Sequence, residues 1–235
     1  MMRIQKYISE TGYCSRRETE RLLSAGRITI NGQKAEHDSF VEETDTVLID
    51  NKEIVRKNKD IYLLFNKPVG ITCTAQPLVK DNIISFLNYP ERIFPVGRLD
   101  KQSEGLILLT NDGDIVNKMM REEYHHEKEY IVTVDRPIPD VFLQEMAQGV
   151  PILNKMTKKC QVKRVNEDTF RIVLTQGLNR QIRRMTKYFD YRVVRLQRVR
   201  LMNLTLNGLA LGEWRDVASE ELVLLKKLLN NGVAP

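Results

Sequence analysis

Three segments of this 235-residue chain carry side chains whose type and setting could do chemistry. In Phe94-Pro-Val-Gly-Arg-Leu-Asp-Lys-Gln-Ser-Glu-Gly-Leu-Ile-Leu-Leu-Thr-Asn-Asp-Gly113, Asp100 sits in a polar loop just ahead of an apolar run. Loops held by strands often display reactive groups, and an ionised aspartate can serve as nucleophile or general base. By residue type alone, Asp100 reads as a loop-capping or surface acid rather than a catalytic one. Residues 179–189 read as a helix capped by Asn179, with Ile182, Met185 and Phe189 toward a core and Arg180, Arg183, Arg184 and Lys187 at mixed three- and four-residue spacings. One arginine of such a helix can turn inward, where a guanidinium beside a carboxylate favours the ionised form; the competing reading is a solvated basic face. Tyr130 follows Lys128-Glu129 and opens Ile131-Val-Thr-Val134. Taken alone it is a core aromatic with its hydroxyl at a strand edge.

The elements that must hold these side chains are readable from periodicity. From residue 60 onward, β-rich runs at 61–65, 105–110, 130–134, 170–175 and 192–196 alternate with helical stretches near 81–88, 114–121, 140–148 and 179–189. This pattern predicts an α+β domain with a mainly antiparallel mixed sheet flanked by helices. Ahead of it, Ile4, Tyr7 and Ile8 lie at helical spacing and Gly12 supplies a stop. Ser15 and Glu18 form a candidate capping box for a second helix ending at Gly26. Asn31-Gly32 between Arg27-Ile-Thr-Ile30 and Gln33-Lys-Ala35 predicts a two-residue hairpin turn. Thr46-Val-Leu-Ile49 and the charged stretch after Val55 place a boundary near residue 58, giving a small module over 1–58 and a larger domain over 59–235.

Charge points to a polyanionic partner. The net charge is +6, and its distribution is uneven: residues 1–35 carry seven Lys/Arg against three acids, 36–50 carry six acids and no base, and 180–200 carry eight Lys/Arg against one acid. A composition 42% hydrophobic and 29% charged is that of a globular protein. No apolar run approaches the roughly 20 residues needed to span a bilayer, and the N-terminus lacks a signal-peptide core, so a cytoplasmic address without membrane attachment is expected. Cys14, Cys73 and Cys160 are odd in number and scattered, which predicts reduced, mostly buried thiols. With His37, His125 and His126 they offer no metal-ligand spacing, so no metal is expected.

The run Gly97-Arg-Leu-Asp-Lys-Gln-Ser-Glu-Gly-Leu106, followed by Leu108-Leu-Thr-Asn-Asp-Gly113, resembles the active-site signature of the pseudouridine synthase family that pairs an S4 module with its catalytic domain. Asn66-Lys-Pro-Val-Gly70, Glu127-Lys-Glu-Tyr130 and Gln176-Gly-Leu-Asn-Arg-Gln-Ile-Arg-Arg-Met185 match the same family in the same order. The order helix, helix, hairpin over residues 2–50, with Ser15-Arg16-Arg17 and Gly26-Arg27-Ile28, resembles the S4 RNA-binding module.

The resemblance implies isomerisation of uridine to pseudouridine without metal or cofactor. Asp100 would attack the sugar carbon or remove its 2′ proton, Tyr130 would stack on the base and take the C5 proton, and Arg183 would pair with Asp100. Lys67 and Pro68 would shape the floor of the site. The target nucleotide must leave its stack, which costs a few kcal/mol, and Arg98 is placed to fill the gap. Leu99, Lys101, Arg180, Gln181, Ile182 and Arg184 join Arg98 as expected RNA contacts in the catalytic domain. Arg3, Lys6, Arg16, Arg17 and Arg27 are the expected contacts in the S4 module, where arginines at a helix N-terminus suit phosphate oxygens. The implied partner is ribosomal RNA, 23S rRNA or a large-subunit precursor, with transfer RNA open as a further target and the enzyme acting as a monomer.

A rival reading is a non-catalytic S4 protein that binds ribosomal RNA, for which the basic patches alone would suffice. S4 modules also accompany methyltransferases and a tRNA synthetase. No two glycines here are separated by one residue, so a Gly-x-Gly nucleotide loop is absent. Lys155-Met-Thr-Lys-Lys159 lacks a His-x-Gly-His partner and is read as a basic turn.

Overall fold

The computed structural model describes residues 1–55, 60–76, 78–121 and 125–231. Two compact units divide the chain: one takes in residues 1–61, 89–93 and 111–113, the other 62–88, 94–110 and 114–235. The first unit thus draws two short segments from beyond residue 60. The expected boundary between residues 58 and 59 lies outside the described residues.

In the first unit β1 (Met2–Arg3) leads into α1 (Ile4–Glu10), and α2 (Arg16–Ser24) follows. Ser15 caps α2 by accepting the Glu18 backbone N–H at 3.1 Å. The capping box is only half made, because the Glu18 carboxylate pairs with Arg21 at 3.0 Å instead of returning to the cap. Gly26, at φ +65°, closes the helix. Then come β2 (Ile28–Ile30) and β3 (Gln33–Lys34), joined by Asn31 and Gly32, both at positive φ as a type I′ turn requires. The unit is completed by β4 (Phe40–Val41), β5 (Val47–Ile49) and β6 (Lys52–Glu53), with β2 and β5 central in the order β3-β2-β5-β6. Ile4, Ile8, Leu22, Leu23, Ile28 and Ile49 fill its core.

The second unit begins with β7 (Tyr62–Lys67) and α3 (Ile83–Leu87), then β8 (Phe94–Pro95), β9 (Glu104–Thr110), α4 (Gly113–Met120) and β10 (Lys128–Val134). After α5 (Asp140–Gln148), the hairpin β11 (Pro151–Ile152) and β12 (Lys155–Met156) turns through Leu153 and Asn154, both at positive φ. The sequence reading of a basic turn there becomes a hairpin because both turn residues enter the left-handed region. Next are β13 (Gln161–Arg164), β14 (Thr169–Leu174), α6 (Gln181–Tyr188), β15 (Val193–Leu201), β16 (Leu204–Thr205), β17 (Trp214–Asp216) and α7 (Ser219–Asn231).

Seven of these strands lie in the order β13-β14-β10-β15-β9-β7-β17, with β16 paired to β15 and β8 to β9. Pairing is antiparallel throughout except where β15 meets β9. Every residue of β7 and β9 is buried, as expected for central strands covered on both faces. One core packs Phe142 and Met146 of α5 and Ile182 and Met185 of α6 against β10, β14 and β15. The other packs Ile115 and Met119 of α4 and Leu225 and Leu229 of α7 against β7 and β9. That antiparallel-dominated α+β sheet is the one the periodicity predicts.

Helix α6 starts later than its sequence suggests. Arg180 adopts φ +50°, outside the helical region, so Asn179 cannot cap the first turn. Its backbone carbonyl and side-chain oxygen instead accept hydrogen bonds from Arg184 at 2.9 and 3.2 Å.

Candidate active site

Asp100 sits in the short connection from β8 to β9, and that connection is tied down through its backbone. Val96 donates to the Leu108 carbonyl at 2.8 Å, and Ser103 donates back to the Asp100 carbonyl at 2.9 Å, closing a turn. Leu99 N–H donates to the Cys73 sulfur at 3.4 Å. The Lys101 carbonyl accepts from Gly70 N–H at 2.8 Å. Gly70 ends the stretch Asn66–Gly70, whose Lys67 is wholly buried with Nζ donating to the Pro68 and Ile71 carbonyls at 2.8 and 2.9 Å. Lys67 thus braces the segment beneath the loop. Burial pushes its ammonium below the ordinary lysine value, opposed by the Cys73, Asp100 and Glu104 side chains.

Arg183 supplies the third tie. Its Nη2 donates to the Gln102 carbonyl at 2.8 Å and to Ser103 Oγ at 3.5 Å, and Nη1 reaches the Val193 carbonyl at 3.4 Å. The ion pair expected with Asp100 is not formed among the described residues: the two terminal nitrogens of the guanidinium donate to Gln102, Ser103 and Val193, and its buried Nε has no partner. Its charge is nevertheless felt there: burial and the neighbouring Arg180 lower the Arg183 pKa, and the Asp100 carboxylate works against both.

One cleft of about 330 Å3 gathers Arg98, Leu99, Asp100, Tyr130, Arg180, Gln181, Ile182 and Arg183. Asp100 and Tyr130 are half-buried on its wall, Leu99 is buried, and Arg98 and Arg180 are exposed. Two expected RNA-binding residues lie outside the cleft lining. Lys101 points its ammonium to Asp81 at 3.1 Å, and Arg184 is turned onto Asn179. The lining also contains Ser103, Lys128, Gln176 and Arg198, which the sequence reading did not single out. Arg198 was the most findable of these. It falls two residues after buried Leu196, on the alternation of a half-buried strand.

In the first unit, Arg3, Lys6, Arg16 and Arg17 border one open hollow with Gln5 and Glu20. Arg3, Arg16 and Arg17 are exposed there. Arg27 lies apart from the hollow and pairs with Asp50 through both Nε and Nη2. Cys14, Cys73 and Cys160 are free thiols, one buried and two half-buried, and burial pushes Cys160 up to about 11.

Such a cleft can hold one planar ring on Tyr130 with a carboxylate, a loop-bracing guanidinium and several cations around it. That composition suits a nucleotide better than an apolar ligand. Comparison with known proteins gives the same direction. Residues 61–188 match the family model described as RNA pseudouridylate synthase, and residues 2–47 match the S4 domain. The chain is 52% identical over 229 residues, 97% of its length and 79% of the relative's, to Dual-specificity RNA pseudouridine synthase RluF of Salmonella typhi. It is 32% identical to Ribosomal large subunit pseudouridine synthase B of Bacillus subtilis (strain 168), covering 99% of this chain and 98% of that one. A solved pseudouridylate synthase shares the fold at TM-score 0.69 and 24% identity, over 97% of this chain and all of the other. A protein that only binds RNA has no need of the synthase domain, and this chain belongs to the RNA pseudouridylate synthase family, with an S4 domain ahead of its catalytic part.

Proposed function

We propose that the substrate is ribosomal RNA, specifically 23S rRNA or a large-subunit precursor, and that Asp100, Tyr130 and Arg183 carry the reaction. The observation behind this is the single cleft that all three line. Asp100 makes neither a hydrogen bond nor an ion pair through its carboxylate with the described residues, so both oxygens are available to attack the sugar carbon or to take its 2′ proton. Tyr130 offers its ring to the base and its hydroxyl to the C5 proton. Arg183 acts by holding the loop and by its nearby charge.

Arg98, exposed beside the cleft, fills the space left by the flipped nucleotide, and Leu99, Arg180, Gln181 and Ile182 bound the base and its phosphates. Lys101 and Arg184 contribute only if RNA draws them from Asp81 and Asn179. Arg3, Lys6, Arg16 and Arg17 hold a second stretch of RNA, with Arg27 a weaker contributor because Asp50 already neutralises it. The division into a module over 1–58 and a catalytic domain over 59–235 is supported by an S4 match over residues 2–47 and a synthase match over residues 61–188. Ribosomal substrates are supported by the name of the Bacillus relative, and a further RNA class, such as transfer RNA, by the dual specificity named for the Salmonella one. Action as a monomer in the cytoplasm completes the reading. No helix among the described residues is long and apolar enough to cross a membrane.

The test is conversion of ribosomal RNA from a strain lacking the gene, with no cofactor or metal added, read as carbodiimide-dependent reverse-transcription stops. A new stop with wild-type protein and none with Asp100→Asn is expected. No new stop in 23S rRNA with active wild-type protein would overturn the substrate, and a stop that persists in Asp100→Asn would overturn the nucleophile.

A further inference from the structure

We propose that Arg198 is a catalytic residue that binds the uracil ring and stabilises the negative charge it acquires when the glycosidic bond breaks; this rests on the reading of Tyr130 as the base platform. Arg198 is 3% exposed and lines the Asp100 cleft. Its Nε donates to the Leu106 carbonyl at 2.7 Å. That is its one hydrogen bond among the described residues, although a guanidinium carries five N–H donors, and Nη2 is buried without a partner. A buried donor left unmatched is destabilising, so its retention on the wall of a ligand cleft points to a ligand acceptor.

Placement says which ligand atoms. Arg198 and Tyr130 are direct register partners on β15 and β10, so their side chains leave the same face of the sheet about 5 Å apart. A ring laid on Tyr130 presents its edge to the Arg198 guanidinium, and the edge of uracil carries the O2 and O4 carbonyls. A structural explanation for the charge is weak. Glu104, the buried carboxylate beside Gly105, is already paired with Arg195 at 2.7 Å, and Lys67 provides a second buried cation whose ammonium is satisfied by backbone carbonyls.

The chemistry needs this donor at one moment. Breaking the C1′–N1 bond leaves its electron pair on the base, while C1′ bonds to Asp100 or C2′ loses a proton to it. The uracil becomes a monoanion with charge shared among N1, O2 and O4. After the ring turns, C5 bonds to C1′ while the Asp100–C1′ bond breaks or, on the glycal route, C2′ takes its proton back from Asp100; the C5 proton then leaves and N1 takes up a proton. The product is therefore an isomer of the substrate, with the same atoms. A fixed, buried guanidinium stabilises the monoanion more than the neutral base, as preorganised donors do for developing charge.

Arg198→Lys isolates the effect, since its ammonium can still satisfy the Leu106 carbonyl but has no second nitrogen for the base. Single-turnover conversion of the mapped uridine should slow about 100-fold, with RNA affinity within about threefold of wild type and the thermal midpoint little changed. Substrates with 2-thiouridine or 4-thiouridine at that position supply the coupling: one of them should slow wild type about tenfold and Arg198→Lys less than about twofold. The inference is overturned if Arg198→Lys retains conversion within threefold, if neither thio substitution slows the wild type, or if the thio effect is the same size in both proteins. Failure of the wild-type protein to convert any uridine would instead sink the underlying reading of the site.

Discussion

Gly105→Ala should destabilise the catalytic unit by about 2–6 kcal/mol. Gly105 sits where β9 runs parallel to β15, opposite Arg198, at φ +107°, a conformation L side chains rarely adopt. Holding alanine there costs about 1–3 kcal/mol. The added Cβ would also lie 2.2 Å from the Arg198 carbonyl oxygen and 2.6 Å from its nitrogen. Both are backbone atoms that cannot swing aside, so the strands must part, adding about 1–3 kcal/mol of overpacking. Trp214, the one tryptophan in the chain, is on β17 of the same sheet, so denaturant unfolding followed by its fluorescence reports this unit. Gly177→Ala is the matched control, because a Cβ there meets nothing within 4 Å and should shift the unfolding free energy by no more than about 0.5 kcal/mol. A destabilisation below about 1 kcal/mol in Gly105→Ala would refute the close approach of the two strands and the placement of Arg198 that follows from it.

Replacing Arg16 and Arg17 with alanine should weaken RNA binding and flatten its salt dependence, by about 0.9 in the slope of log K against log salt for each phosphate the protein no longer neutralises. Arg27→Ala, with its charge already shared with Asp50, should change the slope less; filter binding from low to moderate salt measures all three, and unchanged slopes in the double variant would remove the S4 domain from the binding account. Glu221 accepts from Arg215 at 2.7 and 2.8 Å, and that bond first, with the Ala218 N–H, holds its carboxyl below the ordinary range. A carboxylate so depressed contributes stability that is complete above its unfolded value, about pH 4.3, and disappears as pH falls through the folded value. Glu221→Gln should therefore lower stability at neutral pH and reduce the fall between about pH 5 and 3; an equally steep acid decline in the variant would contradict the pairing.

Much of the frame was legible because the signals were local. The apolar runs of β7 and β9, the Ser15 cap and the Asn31-Gly32 turn each have short-range causes, and the structure carries all of them. Helix α7 was missed although Leu222, Leu225 and Leu229 recur at helical spacing, because the exposed Val223, Leu224 and Leu228 blur the stripe. The short strands β13, β16 and β17 left little trace, since β13 is largely exposed and the others hold two or three residues, recruited to the sheet by distant partners. Within the cleft, the lining residues Asp100 and Tyr130 were singled out through motifs. Arg198 was hidden among eight basic residues in one stretch, where charge pattern speaks of a surface and only the two-residue alternation marks one arginine as buried.

The partner of Arg183 was unreadable for a different reason. Hydrogen bonds to backbone carbonyls leave no signature in the sequence, whereas an acid and a base invite pairing. For the role proposed for Asp100, the arrangement found is better suited than the expected one. A carboxylate locked in a bidentate pair would have to break charge-assisted bonds before attacking a sugar or accepting its proton. Arg183 instead grips Gln102 and Ser103, Gly70 grips Lys101, and Cys73 receives Leu99, so the residues on both sides of Asp100 are fixed through the main chain. Position is thus supplied by neighbours and reactivity is left to the side chain. Rigid placement of a reacting group is where much of an enzyme's advantage arises, and under the proposed role of Asp100 it is achieved here without occupying either carboxylate oxygen.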